Sequence, residues 1–114
     1  MKLTIGVREV QGVTVLDLNG KLVLGEECNS LRQHVSELLA ADKKKILLNM
    51  AELTHTDSSG IGILVEAVVL SAKQGAQLKL VNLGRVLRNT LSVHRLLPAF
   101  EVFDSEEAGL ASFR

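Results

Sequence analysis

The residues most able to do chemistry are the serines of the run Asp57-Ser58-Ser59-Gly60, which lies between a short apolar stretch and a long helical pattern. The side chain of Asp57 or Ser58 can cap the free N–H groups at the start of a helix, with the glycine allowing close packing. A phosphate on a serine here would lie where those N–H groups and the helix dipole favour negative charge. The run is therefore either a helix cap or a modification-controlled switch.

Catalytic and nucleotide-binding motifs do not match this loop. A nucleophile elbow needs Gly-x-Ser-x-Gly, and Thr56 stands in place of the first glycine. The loop lacks the Gly-Lys-Ser/Thr of a P-loop, and Gly60-Ile61-Gly62 lacks the third glycine of a dinucleotide fingerprint. His55 is either a base for a nearby hydroxyl or a polar loop residue. We therefore predict that the protein is not an enzyme.

The other ligand-type side chains predict no metal or cofactor. His34, His55 and His94 do not cluster in sequence, and no His/Cys/carboxylate spacing is typical of zinc. Cys28 is the single cysteine, so an internal disulfide is impossible. This composition fits a reducing compartment, and we expect a cytoplasmic location.

Length and composition predict a single domain spanning residues 1–114. Apolar residues form 46% of the chain and aromatic residues 3%, so the core must consist of Leu, Val, Ile and Ala. Thirteen basic and thirteen acidic residues give a formal net charge of zero, which argues against charge-driven nucleic-acid binding. Because no stretch approaches the roughly 20 apolar residues of a membrane span, we expect no membrane insertion.

The apolar patterning predicts an α/β fold in the order β-β-α-β-α-β-α-β-α. Leu3, Ile5 and Val7 alternate with less apolar residues, as in a half-buried strand. The continuous run Ile46–Leu48 is typical of a strand covered on both faces. The remaining predicted elements are strands at Val13–Leu18, Leu78–Val81 and Val102–Phe103, and helices at Glu26–Ala41, Ser58–Gln74, Gly84–Ser92 and Asp104–Phe113, with Val86, Leu87 and Leu91 facing inward.

The helix after the serine loop carries apolar residues on two sides. At 100° per residue, we expect the side facing the sheet to consist of Ile61, Leu64, Val65, Val68 and Ala72. Ile63 and Leu70 fall almost opposite, flanked by Glu66 and Lys73. This second side is either covered by another helix or an exposed contact surface.

The segment from Ile46 to Gly62, ILLNMAELTHTDSSGIG, resembles the central signature of STAS domains, the anti-sigma factor antagonist family of bacterial regulators. The resemblance extends over nearly the whole chain, from the leading hairpin and Gly20-Lys-Leu to Leu78-Lys-Leu-Val and the tail through Val102-Phe103. It implies one mixed sheet of about four to five strands packed with about four helices.

The resemblance also implies a protein-binding switch. An anti-sigma factor that is itself a serine kinase would phosphorylate Ser58. The unphosphorylated form would bind this partner and free a sigma factor, and phosphorylation would block the complex. The implied roles are loop positioning by Asp57, helix capping by Ser59, close approach of the partner backbone at Gly60, and partner contact near Ile63, Glu66 and Leu70.

One departure from the family pattern lies in the loop before the first helix. Many members carry Gly-x-Leu-Asp there, whereas this chain has Gly20-Lys21-Leu22-Val23, and Glu26 or Glu27 is the candidate to replace the missing charge. The sequence therefore does not decide whether a kinase of the type that acts on typical members of the family is the partner of this chain. The alternative function is an accessory subunit of a lipid-transport ABC system or a scaffold component, in which Ser58 only caps the helix.

Overall fold

The computed structural model describes residues 2–113, which form a five-stranded mixed sheet with helices on both faces. The strands are β1 (Leu3–Val10), β2 (Val13–Leu22), β3 (Lys45–Thr56), β4 (Gln77–Val81) and β5 (Val102–Phe103). The helices are α1 (Glu26–Ala40), α2 (Ser58–Lys73), α3 (Arg85–Val93) and α4 (Glu106–Ser112), with a 3₁₀ turn at Leu97–Ala99. The predicted fold class and element order are confirmed.

The strands lie side by side in chain order, β1-β2-β3-β4-β5. β1 and β2 form an antiparallel hairpin through Gln11 and Gly12, whose φ angles of 53° and 79° suit a tight turn. All later neighbours pair in parallel. The run Ile46–Leu48 in β3 is fully buried, as its continuous apolar sequence predicts.

The two faces of the sheet are covered by different helices. On one face, Leu31 of α1, Leu64 of α2 and Leu91 of α3 pack into the main core with the apolar residues of the strands. On the other face, a smaller cluster centred on Leu47 and Val81 packs against α4. The serine loop starts α2 and therefore lies on the side of the larger core.

Helix α2 is rotated relative to the orientation that its apolar pattern predicts. Ile63 is only 3% exposed, so the alternative in which it forms part of an exposed contact surface is wrong. The buried residues of α2 are Gly60, Ile63, Leu64, Ala67 and Ser71, whereas Ala72 is exposed. The pattern was misleading because the small residues Ala67 and Ser71, which mark the buried row, contribute little hydrophobicity.

Helix α3 also departs from expectation at one position. Val86 was expected to face inward but is 79% exposed. Leu87 and Leu91, four residues apart, form the inward row, with Leu91 fully buried. Val86 lies about 100° from Leu87 around the helix axis and therefore faces away from that row.

Helix α4 is held against the sheet by two cations. Arg8 of β1 pairs with Asp17 of β2 and with Glu106 of α4, each at 2.6 Å. Lys79 of β4 is buried, and its Nζ donates to the backbone carbonyl and the hydroxyl oxygen of Ser112, both at 3.0 Å. These contacts fix both ends of α4.

Candidate functional site

The serine loop is the junction between β3 and α2, and Asp57 caps the helix. Asp57 has extended backbone angles, and its Oδ1 accepts a 2.8 Å hydrogen bond from the Gly60 N–H. The prediction of capping by Asp57 is therefore confirmed. Ser59 is the second residue of α2 and does not serve as the cap, contrary to the role that the resemblance implied.

Asp57 also ties the loop to the connection between β2 and α1. Its Oδ2 accepts a 3.0 Å hydrogen bond from the Leu24 N–H, and its own N–H donates to the Leu22 carbonyl at 3.4 Å. The hydrogen bonds from the N–H groups of Leu24 and Gly60 lower the pKa of the Asp57 carboxyl below its ordinary value. One ionised side chain thus fixes the geometry of two neighbouring loops.

Gly60 is required by packing within the chain. It is buried, and a Cβ atom there would run into the Leu22 carbonyl oxygen and lie 2.8 Å from Cγ2 of Thr56. The first turn of α2 therefore lies directly against the end of β2. Because this face of Gly60 is already occupied, close approach of a partner backbone does not explain the glycine.

The two serines differ in accessibility. Ser58 is exposed and is the first residue of α2, whereas Ser59 is only partly exposed. The loop is held by hydrogen bonds of Asp57 with Leu22, Leu24 and Gly60, and the Ser58 hydroxyl takes part in none of them. A group added to Ser58 can therefore be accommodated without breaking these bonds.

The serines lie beside different hollows of the surface. Ser58, Ile61, Val65 and His94 are among the residues around a mainly apolar hollow of about 560 Å³ between α2 and α3. Ser59 borders a hollow of about 390 Å³ between α2 and the start of α1, which is also lined by Leu24, Arg32, Ile63 and Glu66.

The predicted partner-binding residues are not equally placed for contact. Glu66 is exposed and pairs with Arg32 of α1 at 2.7 Å. Leu70 is half-buried, and Ile63 lies almost wholly beneath the surface. Leu24, which the sequence reasoning missed, is 75% exposed and lies beside Ser59 and Glu66. The only sign of this exposed position in the sequence is that Leu24 is an apolar residue in a loop, directly before Gly25.

The charge missing at Val23 is not restored by Glu27. Its carboxylate accepts a 2.7 Å hydrogen bond from the Lys2 N–H, which lowers the pKa of Glu27 and commits it to holding the start of β1. Glu26 is exposed at the start of α1.

The neighbouring Cys28 is buried, and this burial raises the pKa of its thiol, so the thiol is a poor nucleophile.

The described residues present neither a metal-binding cluster nor a membrane-spanning helix. Among residues 2–113, no group of three or more His, Cys, Asp or Glu side chains is arranged to hold a metal ion. None of the helices in this part of the chain is long and apolar enough to cross a bilayer. His34, the one histidine in α1, donates a 2.8 Å hydrogen bond from its Nδ1–H to the Ser30 carbonyl oxygen and lies apart from the serine loop.

Comparison with solved structures identifies chains of the same fold. A candidate anti-sigma factor antagonist from Thermotoga maritima has a TM-score of 0.86 at 21% identity, over 94% of this chain and 92% of that one. SpoIIAA of Bacillus in its phosphorylated form has a TM-score of 0.74 at 19% identity, over 97% and 100%. A sulfate transporter family protein from Wolinella succinogenes has a TM-score of 0.70 at 21% identity, over 91% and 86%.

These identities are low, so the structural likenesses show the fold alone. A search of curated proteins found no match. The sequence model of the family described as STAS domain, however, matches residues 4–109, which includes the first four residues of α4 and all of the sheet except Leu3. The chain therefore belongs to the STAS domain family.

Proposed function

We propose that this STAS domain is an anti-sigma factor antagonist that is controlled by phosphorylation of Ser58. In its unphosphorylated form it binds an anti-sigma factor that is also a serine kinase, and so frees a sigma factor. The observation that carries this proposal is the exposed Ser58 hydroxyl at the first position of α2, outside the hydrogen bonds that fix the loop.

Accessibility favours Ser58 over Ser59 as the modified residue. A kinase must reach the hydroxyl oxygen of its substrate, and Ser58 offers it on the surface, whereas Ser59 is partly covered beside Glu66 and Leu24. The rigid cap made by Asp57 presents this hydroxyl in one place. Ser58 thus combines exposure with a fixed backbone.

The electrostatics of the loop favour loss of the partner on phosphorylation. A phosphate adds about −1.5 to −2 charge at neutral pH, directly beside the ionised Asp57. The N-terminus of α2 favours this charge within the domain. A closely packed partner would instead have to remove water from both anions, which is unfavourable. Binding is therefore lost while the fold is kept.

The surface around Ser59 suits the proposed partner. We define the docking surface as Leu24, Arg32, Glu66 and Leu70, with Ser58 at its edge. Leu24 supplies exposed apolar area, and the pair of Arg32 and Glu66 supplies charges of both signs at the rim. Ile63 supports this surface from below.

The test begins with phosphopeptide mass spectrometry on the protein recovered from its own cells under several growth conditions. We expect phosphate on Ser58 that varies with the growth condition and is absent from Ser58→Ala.

A second experiment compares tagged Ser58→Ala and Ser58→Asp for capture of a serine kinase from the same cells. Ser58→Asp should capture at least about tenfold less, which corresponds to 1.4 kcal/mol.

Ser92→Asp is the matched control because Ser92 is an exposed serine of α3 that lies outside the docking surface. It should capture the kinase as well as the unmodified protein does. Equal capture by Ser58→Asp and Ser58→Ala, with no phosphate under any condition, would contradict the proposal. Co-purification of a membrane permease in that case would indicate the accessory-subunit alternative.

A further inference from the structure

Strand β3 extends far beyond the end of β4. β3 is 12 residues long, but β4 pairs with it only from Lys45–Gln77 to Asn49–Val81. Over residues 50–56, β3 pairs with β2, and no other strand within residues 2–113 pairs with this stretch. Because a strand in a parallel sheet directs its N–H and C=O groups alternately to its two sides, this stretch has a free edge on the side away from β2. We call it the open edge of β3.

The open edge is set by a defined turn in the chain. Immediately after Val81, Asn82 adopts a left-handed conformation with φ of 60°, which directs the chain away from the sheet. Its side-chain amide donates a 2.9 Å hydrogen bond to Oδ1 of Asn49, the residue paired with Val81. The point at which β4 leaves β3 is therefore fixed by specific contacts.

Helix α3 stands across from the open edge, and a groove of about 470 Å³ lies between them. Its apolar lining includes Met50 and Leu53 from β3 and Leu87 from α3. Arg85, the first residue of α3, also lines the groove. In the part of the chain that the structure describes, no backbone hydrogen bond crosses from the open edge to α3. The groove thus combines the open edge of β3 with an apolar floor, and within that edge the Ala51 N–H already donates to Oδ1 of Asn49 at 3.2 Å.

The charge in the groove indicates what kind of segment it would bind. Arg8, Arg32 and Arg88 all form ion pairs, whereas Arg85 forms none with the side chains of residues 2–113. A carboxylate opposite Arg85 would satisfy this guanidinium. Apolar side chains at alternate positions of an added strand would lie over Met50 and Leu53.

We propose that the open edge of β3 binds an extended segment of a partner protein by strand addition, with alternating apolar side chains and an acidic residue opposite Arg85. Seven residues of strand span roughly 23 Å, enough for a segment of five to seven residues. Because α3 forms the opposite wall, the groove suits a single extended segment. The interaction goes beyond the proposed function and does not depend on phosphorylation.

The test uses the full chain and the synthetic peptide acetyl-Thr-Val-Glu-Val-Thr-Val-amide as the probe. Amide hydrogen exchange measured by NMR should slow at alternate residues within 50–56 when the peptide is added. The same peptide with N-methyl groups on alternate amides should give no protection, because it cannot complete the ladder. Replacing its glutamate by lysine should weaken binding about tenfold.

Arg85→Gln should remove the preference for the glutamate peptide over the lysine peptide, whereas Arg95→Gln, at another exposed arginine, should retain it. Ser58→Ala should bind the peptide like the unmodified protein, which separates this interaction from the switch. Equal binding of the N-methylated peptide, or protection confined to other residues, would overturn the proposal. Protection of 50–56 that develops without peptide as protein concentration rises would also overturn it, in favour of self-association.

Discussion

The side-chain amide of Asn82 donates a hydrogen bond to Oδ1 of Asn49, and Asn49 in turn donates to Oδ1 of Asp17 at 2.8 Å. A line of polar side chains therefore connects β2, β3 and the end of β4 on the face that α4 covers. This line lies where the parallel strands β3 and β4 separate, so its integrity decides where the sheet stops and the groove beside α3 begins.

Asn82→Ala is expected to destabilise the protein by about 2 kcal/mol, because it removes the hydrogen bond and places a β-carbon without local compensation in a left-handed conformation. Asn82→Gly keeps the conformation and should lose only about 1 kcal/mol. Urea denaturation followed by circular dichroism measures both. Equal stability of the two variants would show that the backbone conformation of Asn82 carries no cost.

Gly60→Ala and Gly62→Ala are expected to act in opposite directions. An added Cβ at Gly60 meets the Leu22 carbonyl, so this variant should lose about 1–3 kcal/mol from overpacking. Nothing lies within 4 Å of an added Cβ at Gly62, which is exposed within α2, so alanine there should gain about 0.5–1 kcal/mol. Thermal unfolding of the two variants and of the unmodified protein measures these changes in stability. A stabilised Gly60→Ala would refute the tight contact with β2.

Ser71→Ala is expected to stabilise the protein. The Ser71 hydroxyl is fully buried and has no hydrogen-bond partner among the described residues, and such a group costs about 1–3 kcal/mol. Ser36→Ala, in the exposed middle of α1, changes helix propensity alone and should gain at most about 0.5 kcal/mol. Urea midpoints should therefore rise more for Ser71→Ala than for Ser36→Ala; the reverse order would contradict the prediction.

The pairing of Arg8 with Asp17 predicts a dependence of stability on pH. The hydrogen bond from Arg8, assisted by the one from Asn49, lowers the pKa of the Asp17 carboxyl below its unfolded value of about 3.9. The stabilisation is therefore complete above about pH 5 and is lost as the pH falls through the folded pKa. Because both side chains are more than a third exposed, the whole effect should stay below about 1 kcal/mol.

Urea denaturation of the unmodified protein and of Asp17→Asn measures this effect at pH 7 and pH 3. Asp17→Asn should be the less stable of the two at pH 7, and the difference should shrink at pH 3, where the native carboxyl begins to accept a proton. A difference that is the same at both pH values would show that the ionised form of Asp17 contributes nothing.

The strands and helices of this chain were largely predictable because most carry strong local patterns. The second half of β3 was not, since Ala51-Glu-Leu-Thr-His-Thr56 is mostly polar and exposed and reads as a loop. Pairing with β2, distant in sequence, makes it a strand. The orientation of α2 was misjudged for a related reason, because burial of the small residues Ala67 and Ser71 depends on their neighbours.

Part of the site could also be predicted. The cap at Asp57 follows from local sequence, because it needs only residues three positions apart. Its hydrogen bond with the Leu24 N–H joins residues 33 positions apart and has no local signal. The exposure of Leu24 and the burial of Ile63 likewise depend on how α1 and α2 pack together.

Arg8 joins the first strand to the last helix across 98 positions of sequence through its contact with Glu106. Contacts of such long separation form late, since a large loop must close before they contribute. During synthesis the opening hairpin therefore exists without its full set of contacts until the closing helix has emerged. Until α4 has packed, the sheet face that carries Leu47 and Val81 lacks its cover and is open to contact with other chains.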